Sequence, residues 1–316
     1  MYKLCPIDLD SCKVAHLEIN QEIDDRSTSP YGVQQKLCRD FLSTFSRYGI
    51  LVAPQRSLKE IMAVGRSDCF SDATINFEAW LTKQAVTIKA INRADCLSVE
   101  ECVRFAIVVW LESHRYYRCG SDLIKGPFLG AAASSKHTKI VFTVHCTSVG
   151  EVIIRVSSET VRLLPLTTAA SQLLRGRSTE EHRWVFCLPR LGRGQLVAQY
   201  RRIPDDSAFA NYSEMRAYWK NCHGYDLPLE EPETYYDVLF RGFRSAFLYP
   251  DFCVLSSEPV PVHFREDYVT SAAAIDDFLL VFASRKHFIC MEEVKLSMVD
   301  PNVIGFVRSL SRIIIL

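Results

Sequence analysis

The sequence lacks both an excess of charge and a long hydrophobic segment. Its 37 Lys and Arg residues balance its 37 Asp and Glu residues, so the formal net charge is zero. This balance excludes proteins that hold nucleic acid or an anionic membrane through overall charge, and leaves only a local basic patch for that purpose. The longest apolar run, Phe105–Leu111, is far shorter than the roughly 20 residues that cross a membrane as a helix. We therefore expect no membrane partner.

The sequence also lacks the motifs of common enzymes. It has no Gly-x-Ser-x-Gly sequence of a serine hydrolase and no Gly-x-x-x-x-Gly-Lys-Ser/Thr phosphate-binding loop. The Gly-Arg-Gly sequence at Gly192–Gly194 falls in a predicted turn between strands and has no third glycine, so it does not match a dinucleotide-binding loop. We therefore predict a protein that is not an enzyme, with no catalytic residue and no cofactor.

Cysteine is abundant, but the twelve cysteines are scattered along the chain. No two of them lie within four residues of each other, which excludes the Cys-x-x-Cys pairs of zinc knuckles. The neighbours His145-Cys146 and Cys222-His223 would each need further ligands from elsewhere, and we predict no metal site. The N-terminal segment has no apolar core of signal-peptide length. We expect an intracellular protein, in the cytoplasm or nucleus, whose cysteines are mostly buried and reduced.

Three helices are predicted from the spacing of their apolar residues and from their end signals. In 31–48, apolar residues recur at helical spacing after the start signal Ser29-Pro30, and Gly49 provides the stop. A helix at 211–223 follows the second predicted hairpin of the chain. A third helix at 270–285 would have Thr270 or Ser271 as its N-cap and a buried face made of Ala274, Phe278, Leu279 and Phe282.

The segment from Ser98 to about His114 supports two different predictions. The sequence "SVEE", Ser98–Glu101, matches a capping box and predicts the start of a helix. The β-branched residues of the following "IVVW" favour a strand instead. Both alternatives stay open at the level of the sequence.

Two β-hairpins are predicted in the second half of the chain. The segments "TKIVFTVHC" and "EVIIRVS" surround the turn "TSVG", and "RWVFCLP" and "QLVAQYRRI" surround "RLGRG". We predict an α+β fold with a mainly antiparallel sheet built from 137–255 and flanked by the helices. The Gly-, Ser- and Ala-rich stretch 119–137 would separate an N-terminal part, 1–130, from a core, 131–290, unless the two form one continuous domain. Residues 291–316 would be a C-terminal extension.

The stretch "AYWKNCHGYDLP" places Cys222 beside His223 and raises the question of a metal-binding or nucleophilic pair. Tyr212, Met215 and Trp219 are spaced to share one helix face. Cys222 follows Trp219 by three residues, so we place it on the same buried face. A buried helix residue of this kind points to packing rather than to chemistry.

The same stretch carries the signals that end a helix. His223 falls in the last turn, where a polar ring suits the exposed carbonyl groups. Gly224 suits the left-handed position that follows a helix, and Pro228 prevents continuation. We therefore predict a positive φ at Gly224 and a structural role for the whole stretch.

An ordered set of motifs in the second half of the chain carries a family resemblance. A Trp-containing strand ends in Leu-Pro, a Gly-Gln turn follows, and a helix ends in Trp-x-x-x-x-Gly-Tyr-x-Leu-Pro. This set resembles an uncharacterised metazoan family, that of the human chromosome-eighteen open-reading-frame product that carries a domain of unknown function. The matching positions are Trp184, Leu188, Pro189, Gly194, Gln195, Trp219, Gly224, Tyr225, Leu227 and Pro228.

The resemblance covers roughly 137–290 well and 1–65 more loosely, and it implies no catalytic residue, ligand or cofactor. Members of the family usually continue into a long polar tail, so the apolar ending "SLSRIIIL" indicates a truncated or mispredicted terminus. We expect Trp184 and Trp219 to be buried core anchors. The residues predicted to have structural roles are Trp184, Pro189, Trp219, Gly224, Tyr225 and Pro228.

Two functions follow from the sequence as alternatives. A non-enzymatic protein-interaction or scaffold module is favoured by the neutral charge and the missing catalytic motifs. A nucleic-acid-binding module would instead use the Arg-rich hairpin 175–202 together with the aromatic rings of Trp184 and Tyr200. The acidic pairs Glu180-Glu181 and Asp205-Asp206 oppose a continuous basic surface there. The arginines of this hairpin are Arg175, Arg177, Arg183, Arg190, Arg193, Arg201 and Arg202, of which the last four are the predicted partner contacts.

Overall fold

A computed structural model describes the fold over most of the chain, namely residues 1–4, 6–21, 29–72, 75–128, 136–166, 184–262, 267–283, 288–290, 292–293 and 297–298. The helices are α1 (Pro30–Phe45), α2 (Phe77–Lys83), α3 (Cys96–Glu112), α4 (Tyr212–His223) and α5 (Asp267–Ala283), with 3-10 turns at Ser46–Tyr48, Ser67–Phe70 and Asp251–Cys253. Across the described residues, every helix is too short or too polar to cross a bilayer.

The strands are short and numerous, and all of their pairings are antiparallel. They are β1 (Tyr2–Lys3), β2 (Cys12–Ile19), β3 (Leu51–Pro54), β4 (Glu60–Arg66), β5 (Val86–Arg93), β6 (Tyr116–Cys119), β7 (Asp122–Lys125), β8 (His137–Cys146), β9 (Val152–Arg162), β10 (Trp184–Cys187), β11 (Gly192–Tyr200), β12 (Tyr235–Phe240), β13 (Phe247–Pro250), β14 (Val254–Ser256), β15 (Val260–Pro261), β16 (Phe288–Ile289), β17 (Glu292–Glu293) and β18 (Ser297–Met298). The predicted α+β class is confirmed.

The strands form three main sheets. An N-terminal sheet has the order β3-β4-β2-β5, and a C-terminal sheet has the order β13-β12-β11-β10-β14. A middle sheet runs β18-β1-β9-β8-β7-β6, with β15 beside β9, while β16 and β17 pair separately. The prediction of one sheet from 137–255 was therefore wrong. Both predicted hairpins form, but β9 takes β1 and β15 as further neighbours and β11 takes β12, so the hairpins lie in different sheets.

Helix α1 follows its sequence signals. The Ser29 side chain accepts the N–H of Gly32 at 2.9 Å, and the helix runs to Phe45 before a 3-10 turn continues it to Tyr48. Gly49 has φ 73°, the left-handed conformation that a glycine adopts without strain. The predicted helix 31–48 and its stop are confirmed.

The turn between β12 and β13 packs directly on the start of α1. A Cβ atom added at Gly242 would lie 2.2 Å from the Cβ of Ser29, and Gly242 itself has φ 87°. Beside it, the guanidinium carbon of Arg241 lies 5.8 Å from the centroid of the Tyr31 ring. The N-cap of the first helix is thus a contact of the C-terminal sheet.

Helix α3 resolves the alternative between helix and strand in favour of the helix. The carboxylate of Asp95 accepts the N–H of Ser98 at 2.8 Å, so the cap is Asp95 and the predicted capping box at Ser98 was three residues late. The helix packs against β3 of one sheet and β8 of another. Because it is covered on several sides, its β-branched and aromatic residues are compatible with a helix that is apolar nearly all round.

Helix α5 begins at Asp267, earlier than the predicted cap at Thr270 or Ser271. Its buried residues Ala274, Phe278 and Phe282 confirm most of the predicted inner face, and Leu279 is only partly buried. Asp277 on this helix accepts a hydrogen bond from Lys125 at 2.7 Å and another from the Tyr116 hydroxyl. These bonds tie α5 to the hairpin of β6 and β7.

Buried side chains join the three sheets. The largest cluster unites α1, α3 and α5 with the N-terminal and middle sheets. A second cluster lies under α4 and brings Ile124 and Val161 of the middle sheet together with Met215 and Trp219. The C-terminal sheet is therefore docked on the middle sheet. A third cluster, on the opposite face of the C-terminal sheet, contains Val185, Cys187, Tyr236, Val238 and Val254.

The predicted boundary near residue 131 falls in a part of the chain outside the described residues. Strands β7 and β8, on either side of it, pair with each other in the middle sheet. The division into 1–130 and 131–290 stays a prediction. The extension 291–316 is described only at β17 and β18, and β18 pairs with β1.

Candidate functional site

Helix α4 ends as the sequence predicted. Met215 and Trp219 are buried, so Trp219 is a core anchor. Gly224 follows the helix with φ 70°, and its N–H bonds to the carbonyl of Lys220 at 3.0 Å. The N–H of Tyr225 reaches the carbonyl of Trp219 at 3.3 Å. These bonds satisfy the last carbonyl groups of the helix.

The Cys222-His223 pair is not assembled for chemistry, although one detail of the prediction was wrong. Cys222 is exposed rather than part of the buried face, because the whole last turn of the helix, Lys220–Gly224, is exposed. The His223 ring lies 5.2 Å from the Trp219 ring and 5.5 Å from the Tyr218 ring. Burial, and then the charge of Arg190, lower the pKa of His223. Within the described ranges, no group of three or more His, Cys, Asp and Glu side chains is arranged to hold a metal ion.

The loop after α4 is held by the other predicted motif residues. The hydroxyl of Tyr212 donates to the carbonyl of Pro228 at 2.8 Å. Tyr225 is half-buried, and burial together with a contact from Tyr117 raises its pKa. Pro189 lies in the turn that follows β10. All these contacts are structural.

Trp184 was predicted to be a core anchor, and this prediction was wrong. Its side chain is 41% exposed at the start of β10. Strand register pairs Trp184 with Gln195 and Phe186 with Arg193, so these four side chains share one face of the C-terminal sheet. The cluster under α4 includes Phe186 but stops short of Trp184. The guanidinium carbon of Arg193 instead covers the Trp184 ring, 4.5 Å from its centroid.

A β-bulge lies beside this face. The pairing of β11 with β12 shifts register between Leu196 and Ala198, which leaves Val197 without a strand partner and 58% exposed. The extra residue interrupts the alternation of side chains along β11, so alternation assigns Val197 to neither face. We refer to Trp184, Arg193 and Gln195, together with the adjacent bulge residue Val197, as the Trp184 surface. No residue pattern in the sequence predicts the bulge.

The glycines before the bulge belong to the strand and not to the turn. The turn spans 188–191, so the predicted turn at Gly192–Gly194 was misplaced. A Cβ atom at Gly194 would lie 2.3 Å from a methyl carbon of Val238, and one at Gly192 would lie 3.2 Å from the Phe240 ring. The two glycines therefore make room for β12 side chains on the face opposite the Trp184 surface.

The four predicted contact arginines are all exposed, but the structure separates them into two groups. Arg190 and Arg193 lie in or next to the turn between β10 and β11, close to Trp184. Arg201 and Arg202 follow the other end of β11, about 26 Å away at the usual rise of a strand. None of the four forms an ion pair with any residue that the structure describes. Arg175, Arg177 and Arg183 lie outside the described residues.

Open cavities lie elsewhere on the molecule, and burial raises the pKa of many thiols and phenols. One cavity, about 210 Å³ in volume, is lined by Arg104, Arg118 and Asp122 among others, and another, about 450 Å³, by Glu18, Asn20 and Lys59 among others. Burial raises the pKa of Cys38 and of Tyr212 to about 12. Both groups therefore stay protonated at neutral pH, where a protonated thiol or phenol is a poor nucleophile.

The fold is similar to parts of several large solved structures, at low similarity. Drosophila Piwi is 6% identical with a TM-score of 0.37, and the match covers 88% of this chain and 36% of that one. Clostridium butyricum Argonaute bound to a guide DNA and a 19-mer target DNA is 10% identical with a TM-score of 0.34, covering 90% and 39%. Aa-Ago with externally bound siRNA is 7% identical with a TM-score of 0.35, covering 94% and 42%. The chain thus spans about two fifths of the length of these proteins.

A sequence-family comparison gives a much more specific match. The profile of the domain of unknown function DUF4708 matches residues 4–264, which include the N-terminal and C-terminal sheets, the middle sheet except β1 and β18, and helices α1 to α4. The Trp184 surface and the end of α4 both lie inside the matched region. The chain therefore belongs to the DUF4708 family.

Proposed function

We propose that this protein is a non-enzymatic interaction module that binds an acidic, partly apolar segment of another protein on the Trp184 surface. The observation that carries the proposal is an exposed tryptophan with an arginine stacked on it, in a strand next to a β-bulge. Exposure of so large an aromatic ring leaves apolar area unburied, and tryptophan and arginine are the residues that most often dominate binding at interfaces.

The charges at this surface define the chemistry of the partner. Arg190 and Arg193 have no carboxylate partner among the described residues, and the exposed bulge residue Val197 supplies apolar area four residues along the strand from Arg193. The Trp184 ring holds the Arg193 guanidinium in one orientation, which reduces the entropy lost when it binds a carboxylate. A segment with an acidic residue next to an apolar one fits this arrangement.

We also infer that the protein works inside the cell and without catalysis. Eleven cysteines lie in the described part of the chain and all are free thiols, which suits a reducing compartment. The sequence contains none of the nucleophile and phosphate-loop motifs considered above. Fluorescence microscopy of the tagged protein tests its location, and a turnover lost on changing a single Cys or His would overturn the second inference.

The test is comparative capture from a nuclease-treated cell extract. The bait is the whole chain, either unchanged or carrying Arg193→Glu or Trp184→Ala. Arg47→Glu is the matched control, because Arg47 also stacks on an aromatic ring, with its guanidinium carbon 4.6 Å from the centroid of Tyr48. We expect a set of proteins that binds the unchanged chain and the control and is lost with both surface variants. The same set on all four baits would contradict the proposal.

Nucleic acid is the second candidate partner, and the Trp184–Arg193 pair again favours it. A base can stack on an exposed aromatic ring while arginines contact phosphates. The separation of Arg201 and Arg202 from this pair, and the acidic pair Asp205-Asp206 that follows them, weaken the candidate. Direct titration with single- and double-stranded RNA and DNA distinguishes it. Affinity that falls steeply between about 50 and 200 mM salt and is lost with Arg193→Glu would move nucleic acid ahead of protein.

We further propose that this protein is a functional counterpart of the human chromosome-eighteen open-reading-frame product. The support is the ordered set of motifs from the Trp184 strand to the Leu-Pro after α4, which falls within the DUF4708 region. Alignment of that product with this chain should place identical residues at Trp184, Trp219, Gly224 and Tyr225. Different residues at these positions would separate the two proteins.

A further inference from the structure

Two cysteines from distant parts of the sequence meet where a helix starts and a strand ends. Cys96 is the first residue of α3 and Cys146 is the last residue of β8. Both thiols donate to the carbonyl oxygen of Thr147, from sulfur to oxygen distances of 3.4 Å and 3.7 Å. The two thiols therefore share one acceptor atom and lie close enough for Cys96 to affect the pKa of Cys146.

The surrounding polar groups hold this pair in place. The backbone N–H of Cys146 donates to the Glu100 carboxylate at 2.7 Å, and the same carboxylate oxygen lies 3.0 Å from a ring nitrogen of His145. Glu100 is one helical turn beyond Cys96 on α3. Hydrogen bonds thus join the start of α3 to the end of β8 beside the thiol pair. The proximity of the two thiols therefore results from the positions of these two elements rather than from one side-chain rotamer.

The two thiols differ in access to solvent. Cys96 is partly exposed, whereas Cys146 is buried. A small oxidant in solvent therefore reaches the Cys96 thiol first, and the buried Cys146 thiol lies next to it. The exposed Cys222 has no thiol contact among the described residues, which makes it a natural comparison within the same chain.

We propose that Cys96 and Cys146 form an intramolecular disulfide when the protein meets a hydroperoxide. In the first step the Cys96 thiolate attacks one oxygen of hydrogen peroxide, the O–O bond breaks, and Cys96 becomes a sulfenic acid while the leaving hydroxide takes up the proton that the thiol had lost and departs as water. In the second step the Cys146 sulfur attacks the Cys96 sulfur, the S–O bond breaks, and a second water carries away the Cys146 proton. Two thiols are oxidised by two electrons, and hydrogen peroxide is reduced to two waters.

The second step is the slower one at neutral pH. Burial, and then the neighbouring Cys96, raise the pKa of Cys146 to about 12, so little of its thiolate is present near pH 7. The yield of disulfide at a fixed time should therefore increase as the pH is raised from about 7 to about 9, because the thiolate fraction of Cys146 grows about tenfold per unit. The sulfenic acid on Cys96 should accumulate at the lower pH.

The experiment treats the whole folded chain with hydrogen peroxide, blocks remaining thiols, and maps disulfides by mass spectrometry without reduction. We expect the Cys96–Cys146 linked peptide as the main cross-link. Cys96→Ser should abolish it, and Cys146→Ser should abolish it while leaving a sulfenic acid on Cys96 that dimedone traps. Serine retains the hydrogen bond to Thr147, so these variants should fold. A Cys102 that does not react with the thiol-blocking reagent shows that they have folded, because Cys102 is fully buried in the fold. Over-oxidation of Cys96 without the link, or a Cys12–Cys290 link in its place, would overturn the proposal.

Discussion

Two tryptophans of the C-terminal half have opposite surroundings, and this contrast separates stability from binding at the scale of single residues. Trp219, on the buried face of α4, is 3% exposed, whereas Trp184 is 41% exposed with Arg193 stacked on its ring. Both belong to the motif set that carries the family resemblance. A shared motif therefore combines a residue that holds the fold with one that is available to a partner.

We expect Trp219→Ala to lower the free energy of unfolding by about 3–5 kcal/mol, because it removes a buried aromatic ring. Trp184→Ala should lower it by about 1 kcal/mol or less, since most of its loss is a surface contact. Denaturant titration of both variants measures the difference. Equal losses would mean that the Trp184 ring is packed in solution more tightly than its exposure indicates.

The ends of α1 and α4 and the α+β class were predictable, because they depend on residues close together in sequence. Ser29, Gly49 and Gly224 act within one turn of the helix they cap, and each was identified. The partition into three sheets was not predictable, since β1 and β9 or β10 and β14 pair across long separations. Alternation also showed which residues share a face with Trp184 but not what covers that face.

At the scale of elements, α5 is attached to the middle sheet by a polar contact as well as by its apolar face. Burial alone would raise the pKa of Asp277, but hydrogen bonds from Lys125 and Tyr116 outweigh it and lower the pKa below the ordinary value of 3.8. A carboxyl group whose pKa is lowered on folding stabilises the protein above the unfolded pKa. That contribution is lost as the pH falls through the folded pKa.

Asp277→Asn should therefore cost about 1 kcal/mol of unfolding free energy at pH 7, a small value because the ion pair is partly exposed to solvent. The difference between variant and unchanged protein should shrink as the pH falls below about 4. Urea titrations across this range provide the measurement. A difference that stays constant down to low pH would show that the contribution is steric rather than ionic.

At the scale of the whole molecule, the cluster under α4 is the joint between the middle and C-terminal sheets. Ile124 belongs to β7 of the middle sheet, is fully buried, and packs in that cluster with Trp219. If this joint couples the sheets, the described fold unfolds as one cooperative unit.

Ile124→Ala should therefore lower the unfolding free energy by about 2–5 kcal/mol, the usual cost of emptying a buried aliphatic site. It should weaken hydrogen-exchange protection in both the middle and the C-terminal sheets by similar amounts. Exchange followed by mass spectrometry resolves the two sheets. Loss of protection confined to the middle sheet would indicate independent units.

The contact of Gly242 with Ser29 has a practical consequence for placing labels in this protein. The turn between β12 and β13 faces solvent on one side, yet an inserted residue there would displace the glycine that lies against the cap of α1. A fluorescent protein or affinity tag spliced into that turn should disturb both α1 and the C-terminal sheet. Gly120 lies in the turn between β6 and β7, where nothing lies within 4 Å of an added Cβ, and that turn is the better insertion point.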